Sequence, residues 1–171
     1  MNQVIDKCRT ILQPDQIRIQ EPLRAHTTFR IGGMADVMVL PETAKELEQV
    51  LVACNEEAVP YFVLGNGSNL LVGDGGIRGV VIKLGANFSQ IQRIDNNRFT
   101  VQTGCLLSKV AAYAAKNSLT GMEFAAGIPG SVGGGVIMNA GAYGGEMSQI
   151  LSKVRTLTKD GQWKDYEVYE M

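Results

Sequence analysis

Charge is scarce in this chain, and neither sign prevails. Charged residues make up 19% of 171, and 16 Lys and Arg against 17 Asp and Glu leave a formal net charge of −1. A surface without basic excess argues against nucleic acid as the main partner, because phosphate backbones select basic faces. Long apolar runs are missing too. None approaches the roughly 20 residues of a membrane-spanning helix, so no membrane partner is expected. The opening Met1-Asn2-Gln3-Val4-Ile5-Asp6 lacks the basic and apolar regions of a signal peptide. The three cysteines, Cys8, Cys54 and Cys105, are odd in number and widely separated. They resemble neither a metal cluster nor a disulfide framework, so no metal site is expected and a reducing cytoplasm is the default compartment. The single histidine, His26, has no catalytic partner in view and reads as a polar residue before a strand.

What the chain has is glycine, and it is concentrated. One segment reads Gly65-Asn66-Gly67-Ser68-Asn69-Leu70-Leu71, directly after the apolar run Tyr61-Phe62-Val63-Leu64. A second reads Gly127-Ile128-Pro129-Gly130-Ser131-Val132-Gly133-Gly134-Gly135, then Asn139-Ala140-Gly141-Ala142-Tyr143-Gly144-Gly145. Glycine lets amides turn toward a ligand, and successive exposed amides make an anion-binding concavity. The first segment lacks the third glycine of the dinucleotide fingerprint and the Gly-Lys-Ser/Thr ending of an ATP-binding loop. Alone it reads as a tight turn. The second, 127–142, carries no charge and no strand alternation, yet is too apolar for a solvated linker. It is expected to be buried, with amides that need partners. Two such loops suggest a large phosphorylated ligand, and a dinucleotide cofactor fits best.

Around these loops the periodicity predicts an α+β chain. Residues 2–12 space Val4, Ile5, Cys8, Ile11 and Leu12 as an amphipathic helix, and 17–19 as a short extended piece. A strand is expected over 36–40. A helix opened by the capping box Thr43-Ala44-Lys45-Glu46 then runs to about Asn55, with Ala44, Leu47, Val50, Leu51 and Cys54 inward. Strands at 61–64 and 80–84 follow. Strand, helix and strand over 36–64 suggest a small parallel βαβ unit. Beyond Gly85, hairpins are expected around Asp95-Asn96-Asn97 and Lys159-Asp160-Gly161, and a helix at 106–116 with Leu107, Val110, Ala111 and Ala114 on one face. Cys54 and Cys105 fall on apolar faces and read as core. The expected organisation is a helix and lead-in over 1–25, then one domain over 26–171. Its first lobe covers about 26–85, and its second, mainly antiparallel, about 86–171.

The ordered segments His26-Thr27-Thr28-Phe29-Arg30-Ile31-Gly32-Gly33, Leu64 to Leu71, Gly127 to Gly134 and Asn139 to Gly144 resemble the UDP-N-acetylenolpyruvoylglucosamine reductase (MurB) family. The resemblance runs from about His26 to the C-terminus. It implies the two-lobed FAD-binding domain of the vanillyl-alcohol-oxidase and p-cresol-methylhydroxylase type, with FAD between the lobes. By that resemblance Gly65, Asn66, Gly67, Ser68 and Asn69 wrap the pyrophosphate. Gly127, Ile128, Pro129, Gly130, Ser131, Val132, Gly133 and Gly134 cover the other side of the cofactor. Asn139, Gly141 and Ala142 approach the flavin ring. Several such amides could hold FAD without a nearby lysine. The first loop carries no histidine, so non-covalent FAD is expected. Arg30 reads equally as a flavin-side contact or a surface salt bridge, and Tyr143 reads as packed more than stacked.

The same resemblance implies NADPH as reductant, a sugar-nucleotide substrate, and a role in peptidoglycan precursor synthesis. The family's arginine belongs to a Tyr-Arg-x-Ser motif beyond the second hairpin, and its serine and glutamate lie further on. The chain reaches none of them, so no residue here is expected to be catalytic. A C-terminal substrate domain is expected to be absent, and the 171 residues alone are expected to be inactive. Self-association is expected through apolar surface at Ile137, Met138, Met147 and Ile150. A non-catalytic flavin-binding or interaction module of the same fold is the alternative.

Overall fold

The computed structural model describes residues 1–170. They divide into two units, Met1–Leu84 with Arg155–Asp165, and Gly85–Val154 with Tyr166 onward.

The first unit is built on a four-stranded mixed sheet. α1 (Asn2–Ile11) buries Val4 and Cys8. β1 (Ile17–Pro22) runs antiparallel to β2 (Met34–Val39). α2 (Ala44–Glu56) leads to β3 (Tyr61–Leu64), and β4 (Ile77–Lys83) completes the sheet in the order β1-β2-β4-β3. β2 and β3 are both parallel to β4, which lies between them, so the expected βαβ strands are not neighbours. Hydrophobicity explains the insertion. Val80, Val81 and Ile82 are all fully buried and take a central position, whereas β3 holds the edge with Phe62 and Val63 exposed. A continuous apolar run suits a strand covered on both faces.

The capping box is present. Thr43 Oγ1 accepts the Glu46 N–H at 3.1 Å, and the Glu46 carboxylate accepts the Glu42 N–H at 2.7 Å and the Gln16 amide at 3.0 Å. Of the expected inward stripe, Leu47, Val50, Leu51 and Cys54 are buried, but Ala44 is exposed and Ala53 is buried instead. Ala44 stands in the first turn, whereas Ala53 sits near the other end of the helix, where Thr10 and Ile11 of α1 lie beside it. The hairpin β9 (Lys153–Leu157) and β10 (Trp163–Glu167) brings its tip back to this unit, where Asn55 Nδ2 donates to the Lys159 carbonyl.

The second unit opens with the antiparallel hairpin β5 (Ile91–Arg93) and β6 (Phe99–Val101). α3 (Leu107–Lys116) buries the expected Leu107, Val110, Ala111 and Ala114. Cys105, Met122, Phe124, Ala125 and Met147 close that core, so Met147 is not surface as expected. Ile137 and Met138 are exposed. All three cysteines are free and buried. Among the described residues no helix is long and apolar enough to cross a membrane, and no group of metal-ligating side chains forms.

The Glu46 cap carries a pH signature. Partial burial pushes its carboxyl up, but the hydrogen bonds from Glu42, Gln16 and Thr43 outweigh that and hold it below the usual 4.5. A carboxyl depressed in the folded state stabilises above the unfolded pKa and loses that contribution as pH falls through the folded one. Wild type is therefore expected to be more stable than Glu46→Gln at pH 7. The margin should shrink as pH drops below 4.5, read from urea midpoints at each pH.

Candidate functional site

In the first unit β3 delivers the chain at Leu64 into the loop Gly65–Asn69. Gly67 is buried at φ 67°, and a Cβ there would overlap the His26 carbonyl oxygen. The Gly67 carbonyl accepts the Thr28 N–H at 3.0 Å. Glycine is thus required at this turn both by its backbone angle and by close approach. The segment it rests on is itself braced. His26 Nε2 lies 2.7 Å from Glu21 Oε1, which also accepts the Arg18 guanidinium at 3.0 Å, and Thr27 Oγ1 donates to the Ile31 carbonyl at 3.1 Å. Burial pushes the Glu21 carboxyl up, but His26 and Arg18 prevail and hold it below its ordinary value. Among the described residues, the N–H groups of Gly67, Ser68 and Asn69 donate to no protein acceptor. Adjacent free amides in a fixed turn are the geometry that holds an anion.

Sequence reasoning missed Lys83 and expected the loop to work without a lysine. The Lys83 ammonium donates to the Gly65 carbonyl at 2.5 Å, and burial pushes its pKa down. The signal was a lone charge ending the run Val80-Val81-Ile82. Its place beside the loop follows only from the pairing of Lys83 with Leu64 across β3 and β4.

The second unit carries the other glycine segment. It is not buried as expected: Ser131 and Gly135 are, whereas Gly127, Pro129, Gly134, Asn139 and Gly141 are exposed. The physical reason is a short helix, α4 (Val132–Ile137), which the sequence pattern did not predict. Val132 and Val136 pack on the core beneath it, leaving Gly134 and Ile137 outward. The Val132 and Gly133 amides donate to the Cys105 and Thr103 carbonyls, each at 2.8 Å. A Cβ at Gly133 would overlap Thr103 Oγ1, so that glycine serves packing. The amides of Gly130, Ser131 and Gly134 donate to no protein acceptor among the described residues. The Ser131 hydroxyl forms no cap on the helix it precedes. Gly127 has open space where a Cβ would stand and no positive φ to require glycine.

Beyond α4, Asn139 Oδ1 accepts the Ser148 N–H at 2.9 Å, which commits part of that side chain within the chain. β7 (Gly141–Ala142) and β8 (Gly145–Glu146) pair across Tyr143 and Gly144, at φ 53° and 84°. Two residues of positive φ make the tight hairpin turn that matches strand twist. That turn throws Tyr143 fully into solvent, so it does not pack as expected. Arg30 is exposed at φ 57° and enters no ion pair among the described residues, which leaves its surface salt bridge unformed.

Residues 35–166 match the family described as FAD binding domain. The chain belongs to that family. It is 48% identical over 160 residues to a UDP-N-acetylenolpyruvoylglucosamine reductase of Syntrophomonas wolfei subsp. wolfei, covering 94% of this chain and 53% of the relative. A crystal structure of the UDP-N-acetylenolpyruvylglucosamine reductase (MurB) from Thermus caldophilus superimposes with a TM-score of 0.72 at 38% identity, covering 90% of this chain and 52% of that one. The chain thus spans about half the length of the relatives it matches. p-Cresol methylhydroxylase, solved with substrate bound, shares the fold at a TM-score of 0.70 and 19% identity, over 96% of this chain and 35% of that one. The α+β FAD-binding fold of the vanillyl-alcohol-oxidase and p-cresol-methylhydroxylase type is therefore the fold of this chain.

The geometry separates two glycines only six positions apart. Gly67→Ala should lower the stability of the ligand-free protein by at least about 1 kcal/mol through overlap and left-handed strain. Gly73→Ala, with open space at its Cβ, should stay within about 0.5 kcal/mol of wild type in the same denaturant titration.

Proposed function

We propose that this chain holds the FAD of a UDP-N-acetylenolpyruvoylglucosamine reductase (UDP-N-acetylmuramate dehydrogenase), with NADPH as reductant and a sugar nucleotide as substrate, in peptidoglycan precursor synthesis. The observation that carries the reading is 48% identity, across 94% of the chain, to a protein of that name. The residues fit the cofactor. Free amides at Gly67, Ser68 and Asn69 suit a pyrophosphate, with the Ser68 hydroxyl and Asn69 side chain beside them, and Gly65 and Asn66 completing the turn. In the second unit the amides of Gly130, Ser131 and Gly134 are further donors. Gly127 keeps its surroundings open to a ligand, while Asn139, Gly141 and Ala142 are our assignment for the flavin ring. Bound FAD supplies two-electron redox chemistry. The binding is non-covalent in this reading, since the first loop has no nucleophilic side chain stronger than a serine and His26 is engaged by Glu21.

Neither nucleic acid nor membrane is part of the proposal, which agrees with a net charge of −1. A cytoplasmic setting fits three free, buried thiols. Exposed Ile137 and Met138 are the surface through which copies of the chain would self-associate.

Saturating FAD is expected to raise the melting temperature of the purified protein, because a ligand bound only by the native state stabilises it by mass action. A melt that does not move, together with no flavin absorption after gel filtration, would refute the reading. Gly127→Val offers a second check. It should leave the ligand-free melt unchanged, since nothing in the chain lies near its Cβ, yet weaken FAD binding by about tenfold or more through blocked backbone approach. An unchanged FAD dissociation constant would remove that segment from the site.

A further inference from the structure

We infer that Lys83 is a phosphate-binding residue of the first glycine loop, supplying the cationic partner for the pyrophosphate of a dinucleotide. The inference rests on the FAD-binding reading and adds a side chain that the loop motif does not contain.

Three observations carry it. Lys83 closes β4 opposite Leu64, the last residue of β3 before the loop, so its Cα is fixed by the sheet rather than by a mobile connection. Its ammonium donates to the Gly65 carbonyl at 2.5 Å, which holds the charge at the start of the turn whose later amides are free. An ammonium has three donors and no acceptor, so two remain for another oxygen. Finally, the side chain is half-buried, and among the described residues it has no carboxylate partner. Burial pushes its pKa down, as expected for a desolvated cation without a counter-charge. A partly buried charge is costly unless it is paired. A phosphate oxygen seated on the Gly67–Asn69 amides would be both the missing counter-charge and the acceptor for those donors. The Gly65 contact also explains how the loop is prepared: the lysine ties down the first carbonyl before a ligand arrives.

The bland alternative is that Lys83 only braces the loop through Gly65. The test separates the two by measuring dissociation constants of FAD and of riboflavin, which lacks phosphate, for wild type, Lys83→Met and Lys83→Arg. The expected result is a loss of about tenfold or more in FAD affinity for Lys83→Met at low salt, the scale of one charge-assisted hydrogen bond. That gap should narrow at about 1 M salt, where charges are screened. Riboflavin affinity should not change, and Lys83→Arg should stay within about threefold of wild type for FAD. Equal FAD affinity in wild type and Lys83→Met, or an equal loss for riboflavin that salt does not narrow, would overturn the inference while leaving FAD binding intact. Failure of wild type itself to bind FAD would overturn the underlying reading as well. If Lys83→Met does not fold, Lys83→Gln carries the same comparison with a neutral polar side chain.

Discussion

The close approach of Gly67 to the His26–Thr28 backbone is the constraint on which the first loop depends. The chain leaves β3 at Leu64 and turns within a few residues, with the amides of Gly67, Ser68 and Asn69 donating to no acceptor among the described residues. A free loop would satisfy those amides by collapsing on itself or onto water. Here the turn is pinned from behind by a hydrogen bond from Thr28 and by contact with a carbonyl that tolerates no side chain. The His26–Glu21–Arg18 group in turn steadies the backbone that does the pinning. Donors held in place before a ligand arrives lose little entropy on binding, which is why a glycine turn on a rigid support makes a better anion site than a flexible one.

The second glycine segment follows a different logic. Its glycines divide between those that serve packing and those that do not. Gly133 and Gly135 lie where a Cβ would press on Thr103 and Leu107, and they let α4 sit close to the chain beneath it. Gly127 has no internal reason to be glycine. A glycine-rich motif is therefore not uniformly a ligand-contacting motif, and the two uses separate only when the neighbours of each Cβ are known.

β4 links sheet and site. Its apolar run places it centrally, between two parallel partners. That position carries Lys83 to the end of the strand beside β3, where its ammonium reaches the loop. Burial of Val80, Val81 and Ile82 thus fixes the location of a charge as well as stabilising the sheet.

Much of this protein was legible in the sequence, because local chemistry specifies local structure. The Thr43-to-Glu46 capping box, the inward face of α3, and the turn residues of the two longer hairpins each follow from interactions among neighbours in the chain. The ordered glycine motifs were enough to point to the FAD-binding fold. Tertiary structure decided what depends on partners distant in sequence. It set β4 between β2 and β3, because strand order follows from competition for the buried centre rather than from chain order. It exposed Tyr143, because a turn of two positive-φ residues directs that side chain outward. It joined Lys83 to Gly65 across 18 positions and set His26 behind Gly67, contacts that no periodicity encodes because they arise only when separate segments pack.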